Sequence, residues 1–214
     1  MPNLLVYPIR GIVKRFNNHF LKLRENPGVF IISPGGTGSV ELLKYIHKYK
    51  KSNIYFEKKY KCSIGHNFTP PPDFKKKKVK IILIYRNFDD IYKSMVSRGF
   101  VRISLNEFGD FFPFMYKNIF KNKFKLKKKY YDYLERFYSN WELYDKKLIL
   151  KLNYPDIYKS SKIQKNIKQF LEIRNPKFLK NFPKFKRYKK VKGFIDPSTI
   201  LSKQIFNKKK RPPF

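Results

Sequence analysis

Three glycines and three hydroxyl-bearing residues cluster in residues 33–39, which read Ser-Pro-Gly-Gly-Thr-Gly-Ser. Glycine allows backbone N–H groups to approach an anion closely, and the hydroxyls of Thr37 and Ser39 add further hydrogen-bond donors. These residue types therefore indicate a phosphate-binding loop. The Gly-Lys-Ser/Thr ending of a Walker A loop is absent, and a tight turn without a ligand would use the same glycines.

A second candidate site lies in residues 85–94, which read Tyr-Arg-Asn-Phe-Asp-Asp-Ile-Tyr-Lys-Ser. The guanidinium of Arg86 can bind a phosphate through two N–H groups at once. Ser94 follows about two helical turns later, so its hydroxyl can reach the same anion. The alternative is that Arg86 only forms a solvent-exposed ion pair with Asp89 or Asp90.

His66 is the candidate general base. A neutral imidazole, whose ordinary pKa is ~6.5, can accept a proton from a hydroxyl group at neutral pH. Three prolines at residues 70–72 cannot continue a central strand, so the chain turns outward just after this histidine. Without further context a structural role is the commoner explanation for such a residue. His19 and His47 lie in no comparable setting.

Two strand-to-helix units would position these residues. The apolar run at residues 29–32 predicts a buried strand, and apolar residues at helical spacing predict a helix over residues 40–46. Residues 79–85 predict a central parallel strand, because they are apolar on both faces, and a helix should follow from residue 87. Ligands of open α/β sheets bind beyond the carboxyl ends of the strands. We therefore expect Arg86 and the glycine loop to face one cleft.

The remaining elements are predicted more coarsely. We expect strands near residues 53–56, 61–66 and 148–154, and helices near residues 12–23, 124–146 and 160–173. Residues 99–123 are rich in aromatic side chains and predict either core with a partly ordered lid or a wall that binds an acceptor. After Pro176 we expect loops, one short helix and a loose basic tail.

The composition bounds the class of protein. The chain has 214 residues, which suits one α/β domain with a real core, and its net charge of +35 should attract anions and polyanions. Charge alone does not separate nucleic acid, acidic glycan and nucleotide as partners. The single cysteine, Cys62, excludes an internal disulfide and a multi-cysteine metal site. No apolar run approaches the ~18 residues of a membrane span, so we expect a soluble, cytoplasmic protein.

The order of these segments resembles the sulfotransferase family that uses 3′-phosphoadenylyl sulfate (PAPS). Residues 34–39 look like its 5′-phosphosulfate loop, and residues 85–94 look like its motif R-N-P-x-D-x-x-x-S, in which Asp90 matches the Asp. Residues 150–157 and 167–171 are similar to its late strand, its Tyr-Glu-Asp-Leu turn and a helix ending in Phe-Leu. Residues 62–70 look like its Thr-His-Leu-Pro-like turn. The resemblance covers about residues 28–173.

The resemblance implies a three-layer α/β fold of the P-loop NTPase-like (sulfotransferase) type, with a mostly parallel central sheet flanked by helices. It implies one domain over residues 1–214, with a core at about 28–173 and a basic C-terminal extension at 176–214. It also implies sulfuryl transfer from PAPS, without a metal, to a hydroxyl or amine acceptor such as a carbohydrate. His66 would be the catalytic base. The cofactor-binding residues would be Pro34, Gly35, Gly36, Thr37, Gly38, Ser39, Val40, Arg86, Ser94, Lys192 and Gly193.

Three departures from the family pattern limit what the resemblance predicts. Gly35 stands where the family loop has a lysine that stabilises charge on the bridging oxygen. Either another basic side chain reaches in, or backbone donors suffice, or catalysis is impaired. Phe88 replaces the motif's proline, and residues 189–193 only faintly match the family's Arg-Lys-Gly segment. A P-loop kinase and a non-catalytic nucleotide or polyanion binder are the alternative functions.

Overall fold

The computed structural model describes residues 28–55, 65–98, 100–101, 104–105 and 122–185. Within these ranges the sheet has three parallel strands in the order β1 (Val29–Ile32), β2 (Lys80–Tyr85) and β3 (Ile149–Asn153). Strand β2 is central, and Ile81, Ile82, Leu83 and Ile84 in it are fully buried. This agrees with the continuous apolar run, because a central parallel strand is covered on both faces.

Seven helices whose bounds lie within the described ranges surround this sheet. They are α1 (Ser39–His47), α2 (Pro72–Lys76), α3 (Phe88–Ser97), α4 (Lys123–Glu142), α5 (Asp156–Lys159), α6 (Ser161–Phe170) and α7 (Lys177–Lys180). Alternate strand residues face opposite sides. Phe30 and Leu83 contribute to a core with α2, α3 and α4, whereas Ile31 and Ile82 contribute to a second core with α1, α5, α6 and α7. The predicted three-layer α/β class is confirmed.

Several sequence predictions need correction or lie outside the described residues. Residues 53–55 are helical rather than extended. The predicted helices at 124–146 and 160–173 are shorter, because they end at Glu142 and Phe170. The helix expected at residues 12–23, most of the aromatic segment and the tail beyond residue 185 are not among the described residues, and neither are residues 61–64 of the second expected strand.

Asn53 explains why residues 53–55 do not form a strand. Its fully buried side chain accepts a hydrogen bond from the N–H of Ile31 at 2.7 Å and donates to the carbonyl of Ile31 at 2.9 Å. One amide side chain thereby occupies the hydrogen-bonding positions that a further strand would use beside β1. In the described part of the chain, no helix is long and apolar enough to cross a membrane.

Replacing Asn53 by leucine should therefore destabilise the protein. Asn53→Leu leaves the buried N–H and C=O of Ile31 without their partner, which should lower the free energy of unfolding by at least about 2 kcal/mol. Urea denaturation measures the change. Asn166→Leu on the exposed face of α6 is the control, and equal stability of the two variants would contradict this role for Asn53.

Candidate anion-binding site

The glycine loop between β1 and α1 is a left-handed turn. Gly35, Gly36 and Gly38 have φ angles of 90°, 69° and 69°, a region that residues with a Cβ rarely adopt. Gly38 directly precedes α1, and no side chain caps that end of the helix. The turn thus aims the positive end of the α1 dipole at the loop, as an anion site requires.

Thr37 adds an observation that a turn alone does not explain. Its side chain is 1% exposed, and its Oγ1 is buried without a hydrogen-bond partner among the described residues. The neighbouring buried Ser33 is satisfied, because its Oγ donates to Ser39 Oγ at 3.1 Å. Buried hydroxyls nearly always have a partner. An anion held in this loop would supply one for Thr37.

Arg86 lies in direct contact with this loop. Its Nη1 donates a hydrogen bond to the carbonyl oxygen of Gly36 at 2.7 Å, and its guanidinium stacks over the ring of Tyr154 at 4.8 Å. Its Nε is buried without a hydrogen-bond partner in the described structure and lies 3.7 Å from Asp90 Oδ2. The ion pair with Asp90 therefore exists, but it coexists with the loop contact. The structure brings the two predicted anion-binding segments together.

The start of α3 fixes the path of the chain after Arg86. The side chain of Asn87 accepts hydrogen bonds from the N–H groups of Asp89 and Asp90 and so caps the helix. Asp89 points to α4, where Lys127 lies 2.6 Å from its carboxylate and Tyr131 donates a hydrogen bond to it. The contact with Lys127 has the larger effect and the contact with Tyr131 the smaller one, and both hold the pKa of Asp89 below its usual value. Asp89 therefore serves helix packing, and Asp90 faces Arg86.

Ser94 lies on α3 beside an arginine that the sequence analysis missed. Arg98 Nη2 donates to Ser94 Oγ at 3.1 Å, and Arg98 Nε donates to the Ser94 carbonyl at 2.9 Å. The same Nη2 would lie 3.3 Å from a Cβ built on Gly36. Desolvation by neighbouring protein atoms is the larger cause that lowers the pKa of Arg98, and the positive charge of Arg86 lowers it further. The sequence signal that could have identified Arg98 is its position about one helical turn after Ser94.

His66 contacts Ser33, the first residue of the glycine loop. Its Nδ1 is 2.6 Å from the carbonyl oxygen of Ser33, and the N–H of Ser33 donates to the carbonyl of Gly65 at 3.0 Å. A carbonyl only accepts hydrogen bonds, so Nδ1 carries the proton and Nε2 is the basic nitrogen of the neutral ring. Trp141 in α4 stabilises the turn that follows His66, because its indole N–H donates a buried hydrogen bond to the Asn67 carbonyl at 2.8 Å.

Two tyrosines after the third strand contact the loop, Tyr154 directly after β3 and Tyr158 in α5. Tyr154 follows β3, and a Cβ built on Gly38 would lie 2.5 Å from its ring. Tyr158 donates a hydrogen bond to the Gly38 carbonyl at 2.9 Å. The sequence analysis treated Tyr154 only as part of a turn. Val40, in the first turn of α1, is 57% exposed, and Lys192 and Gly193 lie outside the described residues.

A cleft of about 650 Å³ opens beyond the carboxyl ends of β2 and β3. This volume lies within the range of small-molecule sites. The residues that line it include Tyr85, Arg86, Asp89, Tyr131, Asn153 and Tyr154. Within the described ranges, no group of three or more His, Cys, Asp and Glu residues is arranged to hold a metal ion. The cleft thus offers a guanidinium, aromatic rings, amides and the carboxylates of Asp89 and Asp156 to a ligand, and the glycine loop lies beside it, in contact with Arg86.

Comparison with known proteins gives similarity to solved structures and not to sequences. No protein-family model matches the chain, and no curated protein matches it. Among solved structures, mouse sulfotransferase SULT7A1 complexed with PAP is similar, with a TM-score of 0.49 and 18% identity over 78% of this chain and 66% of that chain. The chain spans about two thirds of that structure's length. The site geometry given above rests on this chain's own contacts.

The contact between Gly38 and Tyr154 makes a testable prediction. Gly38→Ala adds a Cβ at positive φ and forces it into the ring, so it should destabilise the protein by about 1–3 kcal/mol. In Gly38→Ala combined with Tyr154→Leu the ring clash is gone. The double variant should therefore be less destabilised than the sum of the two single changes, by at least about 0.5 kcal/mol. Urea denaturation of all four proteins measures this coupling, and strict additivity would contradict it.

Proposed function

We propose that this chain is a PAPS-dependent sulfotransferase that moves a sulfuryl group to a hydroxyl or amine acceptor, with carbohydrate as the acceptor class. One observation carries the proposal: Arg86 Nη1 lies 2.7 Å from the Gly36 carbonyl oxygen, so two segments suited to anions are in direct contact. A nucleotide with phosphates at both ends of its ribose needs two such groups close together. The residue order in both segments supports the same assignment.

The residues around the contact between Arg86 and the glycine loop fit this cofactor. Residues 34–40 would bind the 5′-phosphosulfate, where the buried, unpartnered Thr37 Oγ1 and the α1 N-terminus suit an anion. Arg86 and Ser94 would bind the 3′-phosphate, and Lys192 and Gly193 remain proposed members of that set. PAPS would supply the activated sulfuryl group. The loop hydroxyls and the helix end would stabilise negative charge that develops on the leaving side.

His66 would activate the acceptor. Its Nδ1 proton is held by the Ser33 carbonyl, which orients the ring and presents Nε2 as the proton acceptor. Because Ser33 begins the glycine loop, the base and the anion site are fixed to the same strand end. Thus His66 would remove the proton from an acceptor hydroxyl as the bond to sulfur forms.

The high charge supports a second candidate, a non-catalytic polyanion binder. A net charge of +35 would bind duplex nucleic acid or acidic glycans with a steep dependence on salt. It leaves the contact between Arg86 and Gly36 unexplained, and we therefore rank it second. The cytoplasmic location, the single domain over residues 1–214 and a polyanionic partner remain predictions.

Adenosine 3′,5′-bisphosphate should raise the melting temperature of the protein, whereas ATP with Mg²⁺ should raise it less. Arg86→Gln removes charged hydrogen bonds to the ligand and should weaken bisphosphate binding at least about 10-fold by calorimetry. Arg174→Gln, at an exposed position, is the matched control. Preferential binding of ATP with Mg²⁺ would favour a kinase. Salt-dependent binding of arbitrary duplex that the bisphosphate does not affect would favour the polyanion binder.

His66→Ala should slow turnover strongly without abolishing cofactor binding. In a labelled-sulfate transfer assay across glycan, phenol and amine acceptors, its rate should fall about 10²–10⁴-fold, and its affinity for the bisphosphate should change less than about 3-fold. His47→Ala is the control, because its ring contacts Ser52 at the other end of α1. Full activity of His66→Ala would remove this histidine from the mechanism.

A further inference from the structure

Two arginines converge on one glycine of the loop. Arg86 donates to the carbonyl of Gly36, and Arg98 Nη2 lies 3.3 Å from the position of a Cβ on that residue. Ile91 and Met95 lie on the same side of α3 and also border that position, through the Ile91 carbonyl oxygen and Met95 Cγ at 3.3 Å each. The absence of a side chain at Gly36 thus lets the end of α3 lie against the loop.

Arg98 is exposed to solvent, but its guanidinium is held in place by hydrogen bonds. Its Nε bonds the Ser94 carbonyl, and its Nη2 contacts both Ser94 Oγ at 3.1 Å and Met95 Sδ at 3.2 Å. The bond from Nε to a carbonyl near the end of the helix is ordinary C-terminal capping. The contacts of Nη2 play no part in this capping. They place the far end of the guanidinium beside the Ser94 hydroxyl and the glycine loop.

Ser94 is oriented by this contact. A hydroxyl has one proton to donate and two lone pairs to accept with, and Arg98 occupies one of its lone pairs. Among the described contacts, Ser94 Oγ acts only as an acceptor. Its proton is therefore available to a further acceptor, as a serine that donates to a phosphate oxygen requires.

The charges of the two arginines also favour an anion beside this loop. Two guanidinium groups beside one loop repel each other, and the positive charge of Arg86 contributes to the lowered pKa of Arg98 after the larger effect of the surrounding protein. In the described structure, the carboxylate that pairs with Arg86 is that of Asp90, at 3.7 Å. A doubly charged anion between the arginines would relieve the repulsion.

We propose that Arg98 is a phosphate-binding residue, which together with Arg86 and Ser94 holds the 3′-phosphate of the nucleotide. This inference rests on the proposed function and deepens it. It assigns a role to a residue outside the motif of residues 85–94. It also supplies a second described cationic group to a site for which the sequence offered Arg86, Ser94 and, about 100 residues later in the chain, Lys192 and Gly193.

A comparison of ligands tests the assignment. Calorimetry at fixed ionic strength should compare adenosine 3′,5′-bisphosphate, adenosine 3′-monophosphate and adenosine 5′-monophosphate on the intact chain, on Arg98→Gln and on Arg98→Lys. Arg98→Gln should weaken the two ligands that carry a 3′-phosphate about 10-fold or more, and the 5′-monophosphate less than about 2-fold. Arg98→Lys should retain part of the affinity, because it keeps the charge but loses the planar fork.

Arg174→Gln is the control variant, and urea denaturation checks that each variant folds. An equal loss for all three ligands would mean that Arg98 only supports the loop, and no loss would remove it from the site. Either result overturns the inference while the intact chain still binds the bisphosphate. If the intact chain binds no adenosine phosphate, the proposed function fails. Inorganic pyrophosphate then decides: binding lost in Arg98→Gln retains Arg98 as an anion ligand, and no binding overturns it.

Discussion

The hydrogen bond between Arg86 and the carbonyl of Gly36 is the interaction on which the site depends. It joins the segment after β2 to the segment after β1. The parallel pairing makes this contact possible, because Ile32 pairs with Leu83 and both strands end at the same edge of the sheet. The contact also holds the glycine loop at a defined distance from α3. Without it, the two segments proposed to bind anions would be neighbours without a fixed geometry.

The third strand completes the same arrangement. Tyr85 pairs with Asn153, and the N–H of Tyr154 donates to the Tyr85 carbonyl at 2.8 Å. The ring of Tyr154 therefore lies level with Arg86 and fills the space between its guanidinium and Gly38. Three strand ends thus contribute a loop, an arginine and an aromatic ring to one edge. The cleft results from the register of the sheet as much as from any single motif.

The arrangement of charged and polar groups at this site differs from that on the rest of the basic surface. The lysine-rich composition raises the potential over the whole protein and attracts any anion. The contact region of Arg86 and the glycine loop adds oriented groups: a helix N-terminus, a buried hydroxyl, the half-buried Arg86 and the exposed but hydrogen-bonded Arg98. Desolvated, oriented donors discriminate between ligands far better than flexible surface lysines do. This difference is why we favour a nucleotide site over non-specific polyanion binding.

The sequence predicted what local patterns encode and missed what tertiary contacts decide. The strands, the glycine loop and the start of α3 follow from apolar runs, glycines and the cap at Asn87. Asn53 was mistaken for a strand residue, because its role depends on contact with Ile31 across 22 positions. Arg98 was missed because a helix-end arginine resembles any capping residue until its neighbours are known. The position of Tyr154 depends on the register of β3, which no local pattern gives.

A crystal structure with adenosine 3′,5′-bisphosphate tests the central claim most directly. The account predicts one phosphate within hydrogen-bonding distance of Arg86 and the other against residues 34–39, with the adenosine spanning the cleft between them. A bisphosphate bound elsewhere on the basic surface, or bound with Arg86 still engaged only with Gly36 and Asp90, would contradict it.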